Sequence, residues 1–221
     1  MRACHGARVF AALAVLPVLA TLGVAIPAAA AEPDSTAVPP PPPMTRPAGP
    51  VLFEDRFATL NAWQPDREDV WTVTDSAVCG RLPDEKQKRS FLYAGSAEWA
   101  GYAIDLDLLQ LRGVDKGVVV CARGSRGIGV DLRGGSYQDV LVYRNSAALG
   151  RAPAPNQDRV WHHLRVEARG RTYTVSVDGA RVLECRDPMG AVRGRIALVA
   201  YTGGQGECSV QYTNVVVTRL E

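Results

Sequence analysis

The sequence predicts an all-β domain, either a sandwich or a barrel. Three observations lead there. Short apolar–polar alternations recur along residues 51–221, turn-forming Gly, Asp and Asn separate them, and no long window carries a helical apolar period.

The elements follow in chain order. Residues 1–31 open with Arg2 and Arg8, run apolar from Val9 to Ala25, and end in small residues up to Ala31. That layout is a secretory signal peptide. Residues 32–50 form a low-complexity tract with Pro39 through Pro43 in succession, read as a disordered Pro-rich linker favouring polyproline II. The favoured reading is a simple tether; holding the domain off a surface, or accepting glycans at Ser35, Thr36 and Thr45, are the alternatives. Residues 51–221 suit a single domain.

Within that domain, Tyr102, Ile104, Leu106 and Leu108 share one strand face, and Ala103, Asp105 and Asp107 the other. Val118-Val-Val-Cys-Ala reads as a more buried strand ending at Arg123, and Ile128 to Arg133 alternates again. Val140 to Tyr143 follows. Leu164, Val166 and Ala168 make the next face, with Gly170 opening its turn. Tyr173, Val175 and Val177 return, closed by Asp178-Gly179, a tight-turn pair. Ile196, Leu198 and Ala200, then Val210, Tyr212 and Val215 to Val217, complete the set.

Charge narrows the partners. The chain has 25 basic and 23 acidic residues. Removing Arg2 and Arg8 with the leader leaves 23 of each, a neutral domain without the excess cation that nucleic acid requires. No later segment is apolar for long enough to span a membrane. Four cysteines follow the leader, and an even number in an exported chain suggests two disulfides. Cys185 with Cys208, flanking one strand, is the favoured pair, leaving Cys79 with Cys121. Buried thiols are the alternative, since Cys121 lies within a core-like run.

Leu52-Phe-Glu-Asp-Arg-Phe, Trp63, Trp71-Thr-Val, Trp161-His-His-Leu-Arg-Val-Glu, Tyr173-Thr-Val-Ser-Val-Asp-Gly and Gly194-Arg-Ile-Ala-Leu occur in that order, with Val210-Gln-Tyr-Thr-Asn-Val-Val-Val at the end. This series resembles the concanavalin A-like lectin/glucanase superfamily, nearest to laminin G-like domains and the 3-keto-disaccharide hydrolase domain family. The resemblance spans residues 51–221 and implies a jelly-roll sandwich. It also implies an alternative activity, lyase or hydratase chemistry on 3-keto-glycosides, for which His163, Asp131 and Arg123 would be the available groups. The Asn-Ser-Gly stretch typical of that family is replaced here by Asp115-Lys-Gly-Val-Val-Val.

No catalytic motif stands out. The Glu-x-Asp-x-x-Glu run of the superfamily's glucanases is absent, and Asp105 and Asp107 read as a solvated outer strand face. Adjacent His162 and His163 would point to opposite faces, with His163 beside Arg165 and Glu167. Arg123 needs a partner, Asp131 or Glu167, unless it lines a groove; Asp131, Tyr137 and Tyr143 would join it there as sugar-binding groups. No zincin, P-loop, nucleophile-elbow or dinucleotide motif occurs. No metal or cofactor is expected, with dispersed calcium ligands, as in some laminin G-like domains, an open alternative. The expected function is a secreted or cell-envelope module, monomeric, that binds glycan or an extracellular protein. The alternatives are the glycoside-cleaving enzyme and a structural envelope domain.

Overall fold

The computed structural model describes residues 38–124, 126–189, 193–204 and 206–221. The signal-peptide reading of 1–31, the start of the linker, and Ser35 and Thr36 therefore lie outside the described residues.

Fifteen strands are described: β1 Val51–Asp55, β2 Gln64–Pro65, β3 Trp71–Thr74, β4 Ala77–Leu82, β5 Arg89–Ala94, β6 Tyr102–Arg112, β7 Asp115–Arg123, β8 Arg126–Arg133, β9 Asp139–Arg144, β10 Ala147–Pro153, β11 Trp161–Arg169, β12 Thr172–Val177, β13 Ala180–Arg186, β14 Arg195–Tyr201 and β15 Cys208–Arg219. They form two antiparallel sheets. The first runs β13-β12-β11-β6-β15-β4-β3, with β1 also paired to β15. The second runs β10-β9-β8-β7-β14-β5-β2. Each alternation read from the sequence falls on one of these strands. Strands β1 to β5, β10 and β13 are not assigned individually from the sequence.

The core lies between the sheets. Ile104, Leu106 and Leu108 of β6 and Leu164 and Val166 of β11 meet Val118, Val130 and Leu198 of the opposite sheet, all fully buried. Two tyrosines cross this core and end in the backbone of the second sheet. Tyr102 Oη accepts the Cys121 N–H at 2.7 Å and donates to Arg195 O at 3.3 Å. Tyr212 Oη accepts the Gly117 N–H at 2.9 Å and donates to Val199 O at 2.6 Å. Both hydroxyls thus sit between β7 and β14. One of them serves the bulge at Cys121, where φ is +54° and the register shifts. A backbone group buried without a partner costs about 1–3 kcal/mol, which these hydroxyls avoid.

The residues quoted for the family resemblance do structural work. Asp55 accepts the Phe57 N–H at 2.6 Å and the Trp63 indole N–H at 2.8 Å, holding Phe57 at φ +59°. Asp178 and Gly179, at φ +50° and +80°, turn β12 into β13. The Asp178 carboxylate also holds the His163 N–H and the His162 ring, each at 2.8 Å.

Two expectations are corrected here. All four described cysteines are free thiols. Cys185 and Cys208 lie on β13 and β15, four strands apart in one sheet, or ~19 Å at ~4.8 Å per strand, against the ~4.4–6.8 Å between Cα atoms that a disulfide needs. Cys121 points into the core from the second sheet, whereas Cys79 alternates with core-facing Val78 on β4 and so points away from that core. The second correction concerns the tract before β1. Described residues 38–50 have no regular secondary structure, but they do not stand off as a spacer. They lie along the outer face of the first sheet: Trp161 Nε1–H donates to Pro39 O at 3.1 Å, Asn214 Nδ2–H to Pro42 O at 2.8 Å, and Arg46 pairs with Glu54 at 2.7 Å.

Candidate functional site

The outer face of the second sheet carries a cavity of about 470 Å³. Strand periodicity builds it. On β8, Ile128, Val130 and Leu132 enter the core, so Asp131 and Arg133 point outward. The same alternation presents Arg89 from β5, Asp115 from β7, Tyr143 from β9 and Tyr201 from β14. Tyr137, on the β8–β9 loop, forms the rim and is 47% exposed.

The floor depends on a missing side chain. Gly129 lies directly across from Tyr143, and a Cβ there would sit 2.2 Å from the Tyr143 ring. The ring therefore lies down on the sheet, buried, with its hydroxyl 3.4 Å from Asp131 Oδ1. On the opposite side, Arg89 and Tyr201 are cross-strand partners. The Arg89 guanidinium lies 4.1 Å from the Tyr201 ring centre and 5.7 Å from that of Tyr143. The Tyr201 hydroxyl bonds Gln87. Arg133 lies 4.2 Å from the Tyr137 ring and is held in a fork by Asp139, at 2.8 and 2.9 Å. Arg151 also pairs with Asp139.

Arg133 is thus committed to a protein carboxylate and Arg89 is not. No ion pair joins Arg89 to Asp115 or Asp131 among the described residues, although all three line the cavity. Burial, then the neighbouring Asp115 charge, pushes the Asp131 carboxyl up to about 7, against the pull of Arg89 and Arg133. Burial also raises Asp115, again opposed by Arg133 and Arg89. Tyr143 is raised by burial first and by Asp131 second.

The residues named from sequence separate into three places. Asp131, Tyr137 and Tyr143 come together in this cavity. Arg123 does not join them. It sits exposed at the far end of β7, opposite Arg126, six residues and ~20 Å along the strand from the Gly117 position that faces Asp131. Neither Asp131 nor Glu167 pairs with it; Glu167 holds Arg165 and Arg169. His163 lies on the outer face of the other sheet, where it is opposite Asp107 on β6. The trio suggested for keto-glycoside chemistry therefore shares no site.

Around His163 the structure overturns the solvated-face reading of Asp105 and Asp107, which are 3% and 6% exposed. His163 Nδ1 meets Asp107 at 2.9 Å, and Nε2 is 3.4 Å from Asp105. Asn214 donates to Asp107 at 2.7 Å, and Arg165 pairs with Asp105. These hydrogen bonds, Asp105 first, raise His163 to about 9 despite desolvation. Among the described residues, no cluster of three or more His, Cys, Asp or Glu side chains is arranged to hold a metal ion.

Sequence reasoning missed Arg89, Asp115, Arg133, Gln87 and Tyr201. Arg133 was within reach, two residues from Asp131 and on its face. Arg89 and Tyr201 meet only through the pairing of β5 with β14, more than 100 residues apart.

No family model and no curated protein matches the sequence. Solved structures do match the fold. A carbohydrate-binding module, CBM66 from Bacillus subtilis, aligns with TM-score 0.61 and 16% identity over 71% of this chain and 95% of that chain. A Bacillus subtilis protein of unknown function with a galectin-like fold aligns with TM-score 0.62 and 9% identity, over 77% and 96%. The exoplasmic/lumenal domain of VIP36, bound to Ca2+ and Man3GlcNAc, aligns with TM-score 0.58 and 13% identity, over 76% and 87%. The chain has the concanavalin A-like, galectin-like lectin fold, a jelly-roll sandwich. Among its described residues no helix is long and apolar enough to cross a membrane.

Proposed function

We propose that this chain is an exported carbohydrate-binding module, and that the cavity on the outer face of the second sheet holds the sugar. One observation carries the reading: Arg89, a donor without an ion-pair partner, and Asp131, a buried acceptor, line one tyrosine-walled cavity. A sugar hydroxyl both donates and accepts. A guanidinium offers only donors and an ionised carboxylate, which Asp131 becomes above about pH 7, only acceptors, so a diol set between them satisfies both. The C–H face of a pyranose or furanose ring would lie on Tyr201 or Tyr143 (apolar bodies with a polar tip). A cavity of about 470 Å³ lies within the ~300–1,000 Å³ range of small-ligand sites and suits one or two sugar units. Export rests on the leader-like residues 1–31. The names of two fold neighbours, a carbohydrate-binding module and a mannose-oligosaccharide complex, favour the same class.

The test is a glycan array probed with the native chain and with Arg89→Ala, folding being checked by circular dichroism. Defined hits that disappear in the variant support the cavity as the site. A blank array from folded protein, or hits indifferent to Arg89, would overturn it.

A further inference from the structure

The outer face of the first sheet should be largely polar, yet several of its apolar residues are shielded from water, and three of them lie beside the proline tract. Leu109 is fully buried, Ala77 is 2% exposed and Cys79 is 3% exposed, although none belongs to the core between the sheets. They are neighbours. Leu109 is flanked in register by Trp161 and Gln211, and Cys79 is opposite Gln211 on its other side. Residues 38–41 lie beside this patch, where Val38, Pro39, Pro40 and Pro41 share a cavity wall with Ala77 and Gln211.

The tract is gripped at intervals that match its own geometry. Five successive prolines hold φ near ~−65° and leave polyproline II, with three residues per turn, as the available helix. Residues three apart then present their carbonyls on the same side. The two side-chain donors found here take the carbonyls of Pro39 and Pro42, which are three residues apart. Pro39, Pro41 and Pro42 are half-buried, and Pro40 and Pro43 are exposed. The donors are themselves fixed. Asn214 sits at φ +52° in a bulge of β15, which turns its side chain outward, and Asp107 holds its amide. Trp161 is the first residue of β11.

We propose that the outer face of the first sheet is a binding site for a polyproline II peptide, occupied in cis by residues 38–43. Trp161 and Asn214 read one edge of the helix, and Leu109, Ala77 and Cys79 form its apolar bed. A rigid tract that is already helical loses little freedom on docking, so two hydrogen bonds and a small apolar patch suffice to hold it. This site is separate from the sugar cavity and faces the opposite way. The tract therefore lies on the face of the domain away from the cavity.

The experiment follows the indole N–H of Trp161 by NMR hydrogen exchange in the full chain, compared with a variant in which each of Pro39 to Pro43 is replaced by Gly. Glycine keeps every carbonyl but removes the rings, and with them both the preformed helix and the apolar contacts of the half-buried Pro39, Pro41 and Pro42. Exchange should accelerate about tenfold or more. A synthetic peptide of residues 38–45, added at millimolar concentration, should restore protection, and a peptide with five glycines in place of the prolines should not. The Trp71 indole, bonded to Ser90 at 2.9 Å inside the core, reports whether the domain stays folded. Should its protection also fall, Pro40→Gly, at an exposed position, gives the same comparison with less disturbance. Unchanged Trp161 exchange in a folded variant would overturn the site. So would equal rescue by the two peptides. Glycan binding by the variant should stay native, which separates this outcome from that of the sugar cavity.

Discussion

Arg89 and Asp131 line one cavity and form no ion pair. The arrangement is costly, because a buried carboxylate held in no ion pair loses its hydration. Asp131 answers by holding its proton up to about pH 7.

The Asp131→Asn variant tests that cost. The folded carboxyl titrates above its unfolded value of ~3.9, so its ionisation opposes folding increasingly as pH rises from ~4 through ~7. The variant should therefore be more stable than the native chain at pH 8 by about 2 kcal/mol, and nearly equal at pH 4. At pH 8, where the native carboxyl is ionised and a pure acceptor, the variant should also bind sugar about tenfold more weakly, having an amide there instead. Denaturant melts at both pH values check the first part, and titration calorimetry with an array hit checks the second.

Gly129→Ala should disturb the cavity floor specifically. The new methyl would collide with the Tyr143 ring, which must lift from the sheet. We expect loss of sugar binding with a stability cost of about 1–3 kcal/mol, the usual range for overpacking. Native affinity in this variant would show that the Tyr143 ring is not part of the binding surface.

His163 makes stability fall in alkali. Its folded value, about 9, lies above its ordinary value of ~6.5, so its contribution is complete below ~6.5 and is lost as pH rises towards 9. The ring is about one-third exposed, which limits the effect to roughly 1 kcal/mol. Melting temperature against pH should decline across that window in the native chain and less in His163→Gln.

Tyr212→Phe removes only a hydroxyl, but one that serves Gly117 N–H and Val199 O inside the core. A loss of about 1–3 kcal/mol in urea unfolding is expected.

The cysteines should give no redox response. Every cysteine should react with a thiol reagent after denaturation without reductant, and reductant should leave the melting temperature where it was. A melting point lowered by dithiothreitol would restore a disulfide.

Local pattern was enough for eight of the described strands and for the all-β class. A period of two needs only neighbouring residues to show it, and Tyr102–Leu108, Leu164–Ala168 and Tyr173–Val177 each took the predicted face. The same rule placed His162 and His163 on opposite faces and set Arg133 beside Asp131. What the sequence could not determine by itself was which strands would become neighbours. Pairing of β5 with β14 brings Arg89 to Tyr201, and pairing of β6 with β11 buries Asp105 and Asp107 under His163 and Arg165. Sheet order separates Cys185 from Cys208, and the register of β7 against β8 separates Arg123 from Asp131. The proline tract declared its own stiffness, but its docking depends on a bulge at Asn214 and an indole at Trp161, both far along the chain. Alternation along a strand is set by backbone geometry within a few residues. Sites are set by the order in which strands hydrogen-bond across the sheet, and only the tertiary structure decides that.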